Sequence, residues 1–210
     1  MKLYITPGSP YARMTRVMVH EKGLGDRVEV VTARTRTEQS PYYEINPSGR
    51  VPYLVRDDGV GLEDSALICA YLDHLDGAPT FDVPPDADHP WEARRLEAVA
   101  RSTLDGLSVL ARELARAENE RSPAVIQHEL DRAARLLHVW EHEIAHPLMR
   151  SGLHIVHLTL ACALGLEARS PELRWGGEQP RLRAWFDEIA ARPSFVATAP
   201  RRAERPIGHP

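Results

Sequence analysis

The proline-rich stretch at 77–90 constrains the fold of this 210-residue chain more than any other feature. It contains four prolines and several acidic residues, which neither pack into an apolar core nor continue a helix. Short β-rich runs alternate with helical patterns before this stretch, whereas the patterns after it are all helical. The sequence therefore predicts a domain at 1–76, a linker at 77–90, an all-helical domain at 91–200 and a frayed tail at 201–210.

The first half of the chain follows the order β-α-β, loop, β-β, α. Ser9 followed by Pro10 is typical of a helix start, because a hydroxyl caps the first turn and proline fits its first position. Asp57-Asp58-Gly59 between two short β-rich runs predicts a hairpin. We expect strands at 2–5, 27–31, 53–56 and 60–62, and helices from about 10 to 22 and from Ser65 onward.

The second half of the chain shows apolar residues at helical spacing throughout. Cys162 in this half and Cys69 in the first half both lie within apolar helical patterns, with no neighbouring cysteine or histidine at a zinc-ligand spacing. We therefore expect two inert, buried thiols. The helices predicted for this half span about 91–118, 123–146, 154–168 and 180–192.

The composition narrows the classes of partner. The chain has 26 basic and 30 acidic side chains, a formal charge of -4 and no block of basic residues, so we expect no nucleic-acid partner. Its longest apolar run, at 158–166, is far shorter than a membrane span, and the first residues lack the pattern of a secretory signal. We therefore expect a cytoplasmic protein that contacts no membrane.

Three motifs in the first half could carry chemistry. The first is Gly8-Ser9-Pro10-Tyr11, which places the Ser9 hydroxyl at the positive end of a helix. Free backbone N–H groups and the helix dipole favour an anion at that position, and a thiolate bound there would be stabilised. The alternative is that Ser9 only caps the helix.

The second motif runs from Asn46 to Pro52 and contains two prolines and a glycine just before a strand. This composition indicates a rigid turn, and Pro52 at the strand entry is a good position for a cis peptide bond. Such a bond would turn the N–H and C=O of Val51 outward, where they could pair with an extended peptide ligand. The alternative is an ordinary turn.

The third motif is Asp64-Ser65 at the start of a helix. Ser65 and the free N–H groups behind it suit a ligand carboxylate, whereas Asp64 suits a ligand ammonium group. An amino-acid head group carries both charges. The alternative is again a cap with an acid that matches the helix dipole.

These three motifs, together with the sequence from Trp185 through Arg192-Pro193-Ser194-Phe195, resemble the glutathione transferase superfamily in order and spacing. The resemblance covers nearly the whole chain and implies an α/β thioredoxin-like N-terminal domain followed by an all-α C-terminal helical domain. It implies glutathione as co-substrate, with no permanently bound cofactor and no metal. The glutathione-binding residues that it implies are Ser9 at the sulfur, Tyr11, Val51 beside a cis Pro52 at the cysteinyl backbone, Asp64 and Ser65 at the γ-glutamyl end, and Arg50 at the glycyl carboxylate.

Ser9 departs from the members that this segment resembles most. The omega-like and glutaredoxin-like members have a nucleophilic cysteine there, so mixed-disulfide chemistry through Ser9 is not available. A serine suits conjugation, in which its hydroxyl stabilises the glutathione thiolate. Two alternatives stay open: a non-catalytic scaffold that binds a protein partner, and a thiol-disulfide reductase, which would require a reactive Cys69.

Two groups of histidines have separate interpretations. His154 and His157 stand where the family usually has Ser/Thr-x-x-Asp as the capping box of a core helix. Either the imidazoles cap and pack there, or the domain is less stable and more pH-sensitive than its relatives. His138, His142 and His146 recur every four residues, and we interpret them as a polar helix face rather than as metal ligands.

The expected reaction is attack of the glutathione thiolate on a small electrophile, with Ser9 as the catalytic residue. The resemblance implies a homodimer and a role in detoxification. It places the acceptor substrate between Tyr11 and the first long helix of the second domain, where Arg101 and Asp105 either face the acceptor or form an ion pair within the helix. The acceptor-side residues are then Tyr11, Arg101, Leu104, Asp105 and Ser108.

Overall fold

The computed structural model of the protein describes residues 1–81 and 91–200. The predicted tail at 201–210 and the part of the predicted linker at 82–90 lie outside the described residues. The strands are β1 (Lys2–Ile5), β2 (Glu29–Thr32), β3 (Tyr53–Val55) and β4 (Gly61–Glu63). The α-helices are α1 (Pro10–Glu21), α2 (Tyr42–Ile45), α3 (Ser65–Asp73), α4 (Glu92–Leu114), α5 (Pro123–Glu143), α6 (Ile155–Leu164), α7 (Pro180–Ala190) and α8 (Pro193–Ala197).

The strands form one mixed sheet in the order β2-β1-β3-β4. β1 pairs in parallel with β2 and antiparallel with β3, and β4 completes the predicted hairpin, whose turn needs the left-handed φ of 83° at Gly59. Leu3 and Leu54 are paired between β1 and β3 and are completely buried. α1 packs against α3, which contacts β3 and β4. The α/β first domain predicted from the sequence is therefore confirmed.

The helical region is built around α6, in which every residue from Val156 to Leu164 is buried. This helix packs against α4 and also against α1, so it joins the helical region to the sheet region. The buried Arg13 of α1 lies at the same junction, and its guanidinium donates to the carbonyl of Phe195 at 3.0 Å. This hydrogen bond ties α1 to α8 at the end of the helical region.

All four helices predicted for the second half end earlier than expected, by two to four residues. α4 ends at Leu114 rather than at Glu118, and α6 ends at Leu164, after which the chain continues as a 3₁₀ helix at 165–169. Apolar spacing continues across a 3₁₀ segment, so the sequence pattern does not show the change in hydrogen bonding. The 3₁₀ segment contributes two residues, Leu166 and Arg169, to the wall of the cavity described below.

Candidate functional site

An open cavity of about 1160 Å³ lies between the sheet region and one face of α4. Its wall includes the first turn of α1, the turn before β3 and the start of α3. The structure brings together every residue predicted for glutathione or the acceptor except Leu104. The predicted residues on the wall are Ser9, Tyr11, Arg50, Val51, Pro52, Asp64, Ser65, Arg101, Asp105 and Ser108.

Ser9 is the N-cap of α1, as its sequence context predicts. Its Oγ accepts a hydrogen bond from the backbone N–H of Ala12 at 3.2 Å, and Pro10 occupies the first helical position. In the described part of the chain no group accepts a hydrogen bond from the Ser9 hydroxyl. The hydroxyl hydrogen therefore remains available to a ligand in the cavity, beside the N–H of Tyr11 in the first turn.

The turn before β3 is fixed by hydrogen bonds to one carbonyl. Arg50 O accepts from Tyr42 Oη at 2.5 Å and from Asn46 Nδ2 at 3.0 Å. Gly49 has a φ of 67°, and a Cβ at this position would lie 2.8 Å from the Tyr43 ring, so glycine is required. The Val51-Pro52 peptide bond is cis, which confirms the prediction made from the motif.

Asp64 rather than Ser65 is the N-cap of α3. Its Oδ1 accepts from the backbone N–H groups of Ala66 at 2.7 Å and Leu67 at 3.3 Å. Its φ of 80° is unusual for a residue other than glycine, and strain of this kind concentrates at functional sites. The second carboxylate oxygen, Oδ2, has no hydrogen bond among the described residues and faces a cavity in which a ligand ammonium group would fit.

Arg101 crosses the cavity from α4 to the start of α3. One of its Nη atoms donates to Ser65 Oγ at 3.1 Å, and its guanidinium lies 5.9 Å from the centre of the Tyr11 ring. Asp105 instead accepts a hydrogen bond from Tyr11 Oη at 2.5 Å. Arg101 and Asp105 thus contact the first domain rather than each other, and the intrahelical ion pair considered from their spacing is absent.

Tyr11 keeps its proton at neutral pH. Burial and the hydrogen bond to Asp105 raise the pKa of the phenol to about 12. The phenol is therefore a hydrogen-bond donor to Asp105 and not a general base. Ser108, one turn further along α4, is buried with an Oγ that has no hydrogen-bond partner among the described residues.

Leu104 is the predicted site residue that the structure contradicts. Its side chain is completely buried in the hydrophobic core, on the side of α4 that packs against α6. Consecutive residues of a helix differ by about 100° in direction, so Leu104 turns inward although Asp105 faces the cavity. Helical spacing alone did not show which edge of this face belongs to the core.

Three arginines on the cavity wall were not predicted: Arg36, Arg112 and Arg169. Arg169 donates to the carbonyl of Gly8 at 3.0 Å, and Arg112 donates from Nε to the carbonyl of Ser108 at 3.1 Å. None of these arginines lies in a recognisable motif. Arg169 and Gly8 are 161 residues apart, so the proximity is set by the tertiary structure alone.

The two cysteines are buried, as predicted. Burial raises the pKa of the Cys162 thiol to about 12 and raises that of Cys69 further. Thiols with such pKa values are almost fully protonated at neutral pH and react slowly with oxidants and disulfides. The geometry gives no support to a reductase that uses Cys69.

His154 and His157 form a capping box made of imidazoles. His154 Nδ1 accepts from the N–H of Val156 at 3.3 Å, and His157 Nδ1 accepts from the N–H of His154 at 3.4 Å. Their Nε2 atoms lie 2.9 Å from Leu148 O and 3.2 Å from Met149 O, where only an N–H can donate. This pattern defines both rings as neutral Nε2–H tautomers. The imidazoles therefore cap and pack, as the first alternative states, and this arrangement does not exclude a pH-sensitive domain.

The three histidines that recur every four residues, His138, His142 and His146, contact residues of α5 and of the turn after it. The rings of His138 and His142 pack edge to face with centroids 5.0 Å apart, and His146 Nδ1 accepts from the N–H of Leu148 at 3.2 Å. Among residues 1–81 and 91–200 there is no group of three or more His, Cys, Asp or Glu side chains that could hold a metal ion. In the same ranges no helix is long and apolar enough to cross a bilayer.

The chain is similar in sequence to known proteins of one family. Residues 8–75 match the family model described as the N-terminal domain of glutathione S-transferase. An uncharacterized GST-like protein of Escherichia coli K12, YibF, is 27% identical over 205 residues, which are 97% of this chain and 100% of that protein.

Two solved structures are similar over nearly their whole lengths. A glutathione transferase family member from Pseudomonas fluorescens Pf-5, with bound S-(propanoic acid)-glutathione, is 34% identical with a TM-score of 0.78, covering 95% of this chain and 99% of that one. A glutathione S-transferase from Methylobacillus flagellatus KT, with bound glutathione, is 31% identical with a TM-score of 0.81, covering 95% and 98%. On this likeness of sequence and fold along the chain, the protein belongs to the glutathione S-transferase superfamily.

Proposed function

We propose that the protein binds glutathione in the cavity and conjugates its thiolate to a small electrophile, with Ser9 as the hydrogen-bond donor to sulfur. The observation that carries this proposal is the Ser9 hydroxyl, which caps α1 and keeps its hydrogen free at the cavity wall. Related structures that contain bound glutathione or a glutathione conjugate support this choice of ligand. Glutathione is then a co-substrate rather than a resident cofactor.

The reaction needs a thiolate at neutral pH. Lowering a thiol pKa by about two units requires about 2.7 kcal/mol. A hydroxyl hydrogen bond to the charged sulfur and the N-terminus of α1 can together supply this free energy. The thiol proton leaves to solvent, the sulfur lone pair forms a bond to the electrophilic carbon, and either a leaving group departs or the displaced electron pair takes up a proton.

The remainder of glutathione fits the polar groups on the wall. The backbone of Val51 pairs with the cysteinyl unit by strand addition. The ammonium group of the γ-glutamyl unit binds Asp64, and the carboxylate of the same unit binds Ser65, where Arg101 adds a positive charge. Arg50, at the edge of the same turn, binds the glycyl carboxylate.

The test is isothermal titration of glutathione into the wild-type protein, Ser9→Ala and Ser122→Ala, followed by thiolate absorbance of each complex against pH. Ser122 caps α5 before Pro123 as Ser9 caps α1, but lies outside the cavity, so it is the matched control. We expect a lowered thiol pKa in wild type and Ser122→Ala, and an ordinary one in Ser9→Ala. Absence of binding in wild type would favour the non-catalytic scaffold and direct the search to protein partners.

We further propose that the protein is a homodimer, as the family resemblance implies. Two apolar side chains of the first domain, Val60 and Leu67, are 50% and 52% exposed, and a dimer interface would bury side chains of this kind. Light scattering should give a mass near twice the 23.6 kDa of one chain. A mass of a single chain at micromolar concentration would contradict the dimer.

A further inference from the structure

The cavity contains an unusual set of guanidinium groups. None of them has a carboxylate within ion-pair distance among the described residues, whereas elsewhere Arg95, Arg183 and Arg192 form ion pairs with two hydrogen bonds to one carboxylate. The five arginines on the wall are Arg36, Arg50, Arg101, Arg112 and Arg169. Since Arg101 and Arg50 have partners in the proposed glutathione complex, the other three are left to be explained.

Arg169 and Arg36 both line the cavity that contains Ser9, and Arg169 lies next to that serine. Arg169 is half-buried and its guanidinium rests against Gly8, the residue before Ser9, with one hydrogen bond to the Gly8 carbonyl. Burial and the nearby charge of Arg36 both lower the pKa of Arg169. Two like charges at a partly desolvated site destabilise each other, and an anion between them would remove that cost.

The position of Arg36 is set by its backbone. Its φ of 59° lies in the left-handed region, which is unfavourable for arginine, and its N–H donates to Tyr43 Oη at 2.8 Å. The side chain of Arg36 makes no hydrogen bond or ion pair among the described residues. A strained loop thus presents an unpaired cation to the cavity, which is a recurrent feature of binding sites.

None of the described acids on the cavity wall forms an ion pair with Arg36 or Arg169. Glu63 instead accepts from Ser48 Oγ at 2.7 Å, Asp64 caps α3, and Asp105 accepts from Tyr11. A bound anion would supply the negative charge that the protein does not place there. A carboxylate is suited to this position, because two guanidinium groups can each donate in bidentate geometry.

We propose that Arg36 and Arg169 form a carboxylate subsite that selects acceptor substrates with a carboxylate close to the electrophilic carbon. This inference rests on the proposed function, since it takes the reacting sulfur to lie at Ser9. The glycyl carboxylate of glutathione has the same chemistry. We assign the subsite to the acceptor because Arg169 belongs to the helical wall next to Ser9, whereas Arg50 lies on the turn that holds the glutathione backbone.

The experiment measures binding of matched conjugates, so it does not depend on turnover. Glutathione carrying a carboxymethyl or a carboxyethyl group on sulfur is compared by calorimetry with its carboxamide counterpart of the same length and with glutathione itself. Charge-assisted hydrogen bonds to one carboxylate predict about tenfold or more tighter binding of the better-fitting carboxylate than of its amide. Two lengths are used because arginine side chains reach over several ångströms.

Arg36→Met and Arg169→Met should each reduce this carboxylate preference several-fold while leaving the glutathione Kd within about twofold of wild type. Arg34→Met is the matched control, because Arg34 is an exposed arginine two residues before Arg36 and does not line the cavity. It should keep the full preference. Arg36 is exposed and holds no other residue, so its variant remains informative even if Arg169→Met folds poorly.

Three results would overturn the subsite. Equal binding of carboxylate and amide conjugates in wild type would remove it while leaving the proposed function intact. Loss of affinity for glutathione itself in Arg36→Met or Arg169→Met, as large as the loss for the carboxylate conjugates, would assign the pair to the glycyl carboxylate instead. Absence of binding by any glutathione compound would overturn the subsite and the proposed function together.

Discussion

The N-termini of α1 and α6 are both capped by side chains, but the two caps differ in what they leave free for a ligand. Ser9 caps α1 with one hydroxyl that makes a single hydrogen bond and borders an open cavity. His154 and His157 cap α6 with two imidazoles that make four hydrogen bonds to backbone atoms and are 4% and 2% exposed. A helix start can therefore bind a ligand only where the cap leaves a donor unused and the site is open.

The difference follows from what surrounds each start. α6 begins inside the helical core, where an unpaired polar group would be costly, so each imidazole nitrogen is paired. α1 begins at the edge of the sheet region, where the cavity admits water or a ligand in place of a protein partner. Substitutions at the two starts should accordingly affect stability and ligand binding in different proportions.

The largest effect on stability is expected at α6. His157→Ala would leave the N–H of His154 and the carbonyl of Met149 buried without partners, and would open a void beside Trp185. We expect a loss of about 3 kcal/mol in the free energy of unfolding, measured with urea. His138→Ala, at an exposed position of α5, should change it by less than about 0.5 kcal/mol. A loss below about 1 kcal/mol for His157→Ala would mean that the imidazole cap contributes little.

The second prediction concerns the free energy of unfolding at acidic pH, which depends on the two histidines that cap α6. Burial, with smaller contributions from the charges of His154 and Arg192, lowers the pKa of His157 to about 4, below the unfolded value near 6.5, and burial also lowers that of His154. The unfolded chain then binds more protons between these values, so stability is full above about pH 6.5 and falls as the pH decreases toward 4. Protonation of Nδ1 also removes the acceptor that caps the helix.

The folded and unfolded pKa values of His157 predict that the free energy of unfolding decreases by about 1.5 kcal/mol between pH 6.5 and 5. Protonation of His154 should decrease it further. Carboxylates held ionised by partners, such as Glu21 and Glu141, lose their contribution only at lower pH. The double variant His154→Ser/His157→Asp, which restores the family pattern, should be less dependent on pH across this range. Equal slopes for the two proteins would exclude the histidines as the cause.

The sequence predicted those features that depend on neighbouring residues. The start of α1 at Ser9-Pro10, the hairpin at Gly59 and the cis bond before Pro52 each follow from residues within a few positions of one another. The family pattern added the order of the motifs, and with it ten residues of the cavity wall. These features are predictable because the physical cause and the structural effect lie in the same short segment.

The features that were missed depend on contacts between distant segments. Arg169 reaches the site from a 3₁₀ helix whose pattern resembles that of α6, and Leu104 was assigned to the cavity because spacing does not identify the partner of each helix edge. The role of His154 and His157 stayed undecided because it depends on the carbonyls of Leu148 and Met149, which a bend in the chain brings to them. A single sequence does not contain these distances.

A smaller effect on stability is expected at α1. Ser9→Ala removes one capping hydrogen bond at a partly exposed position, so the unliganded protein should lose about 1 kcal/mol in the free energy of unfolding. Urea unfolding without glutathione measures this loss. A loss as large as that expected for His157→Ala would show that Ser9 is mainly structural, and the distinction between the two helix starts would disappear.

The smallest effect is expected for Ser122→Ala at the start of α5, which has the same Ser-Pro sequence as the start of α1. Its hydroxyl accepts from Val125 N–H at 3.4 Å, longer than the 3.2 Å bond at Ser9, so we expect a loss of about 0.5 kcal/mol in the free energy of unfolding. The thiol pKa of bound glutathione should not change. If Ser122→Ala raised that pKa as much as Ser9→Ala, both effects would reflect a general loosening of the fold, and the Ser9 hydroxyl would lose its assignment as the donor to sulfur.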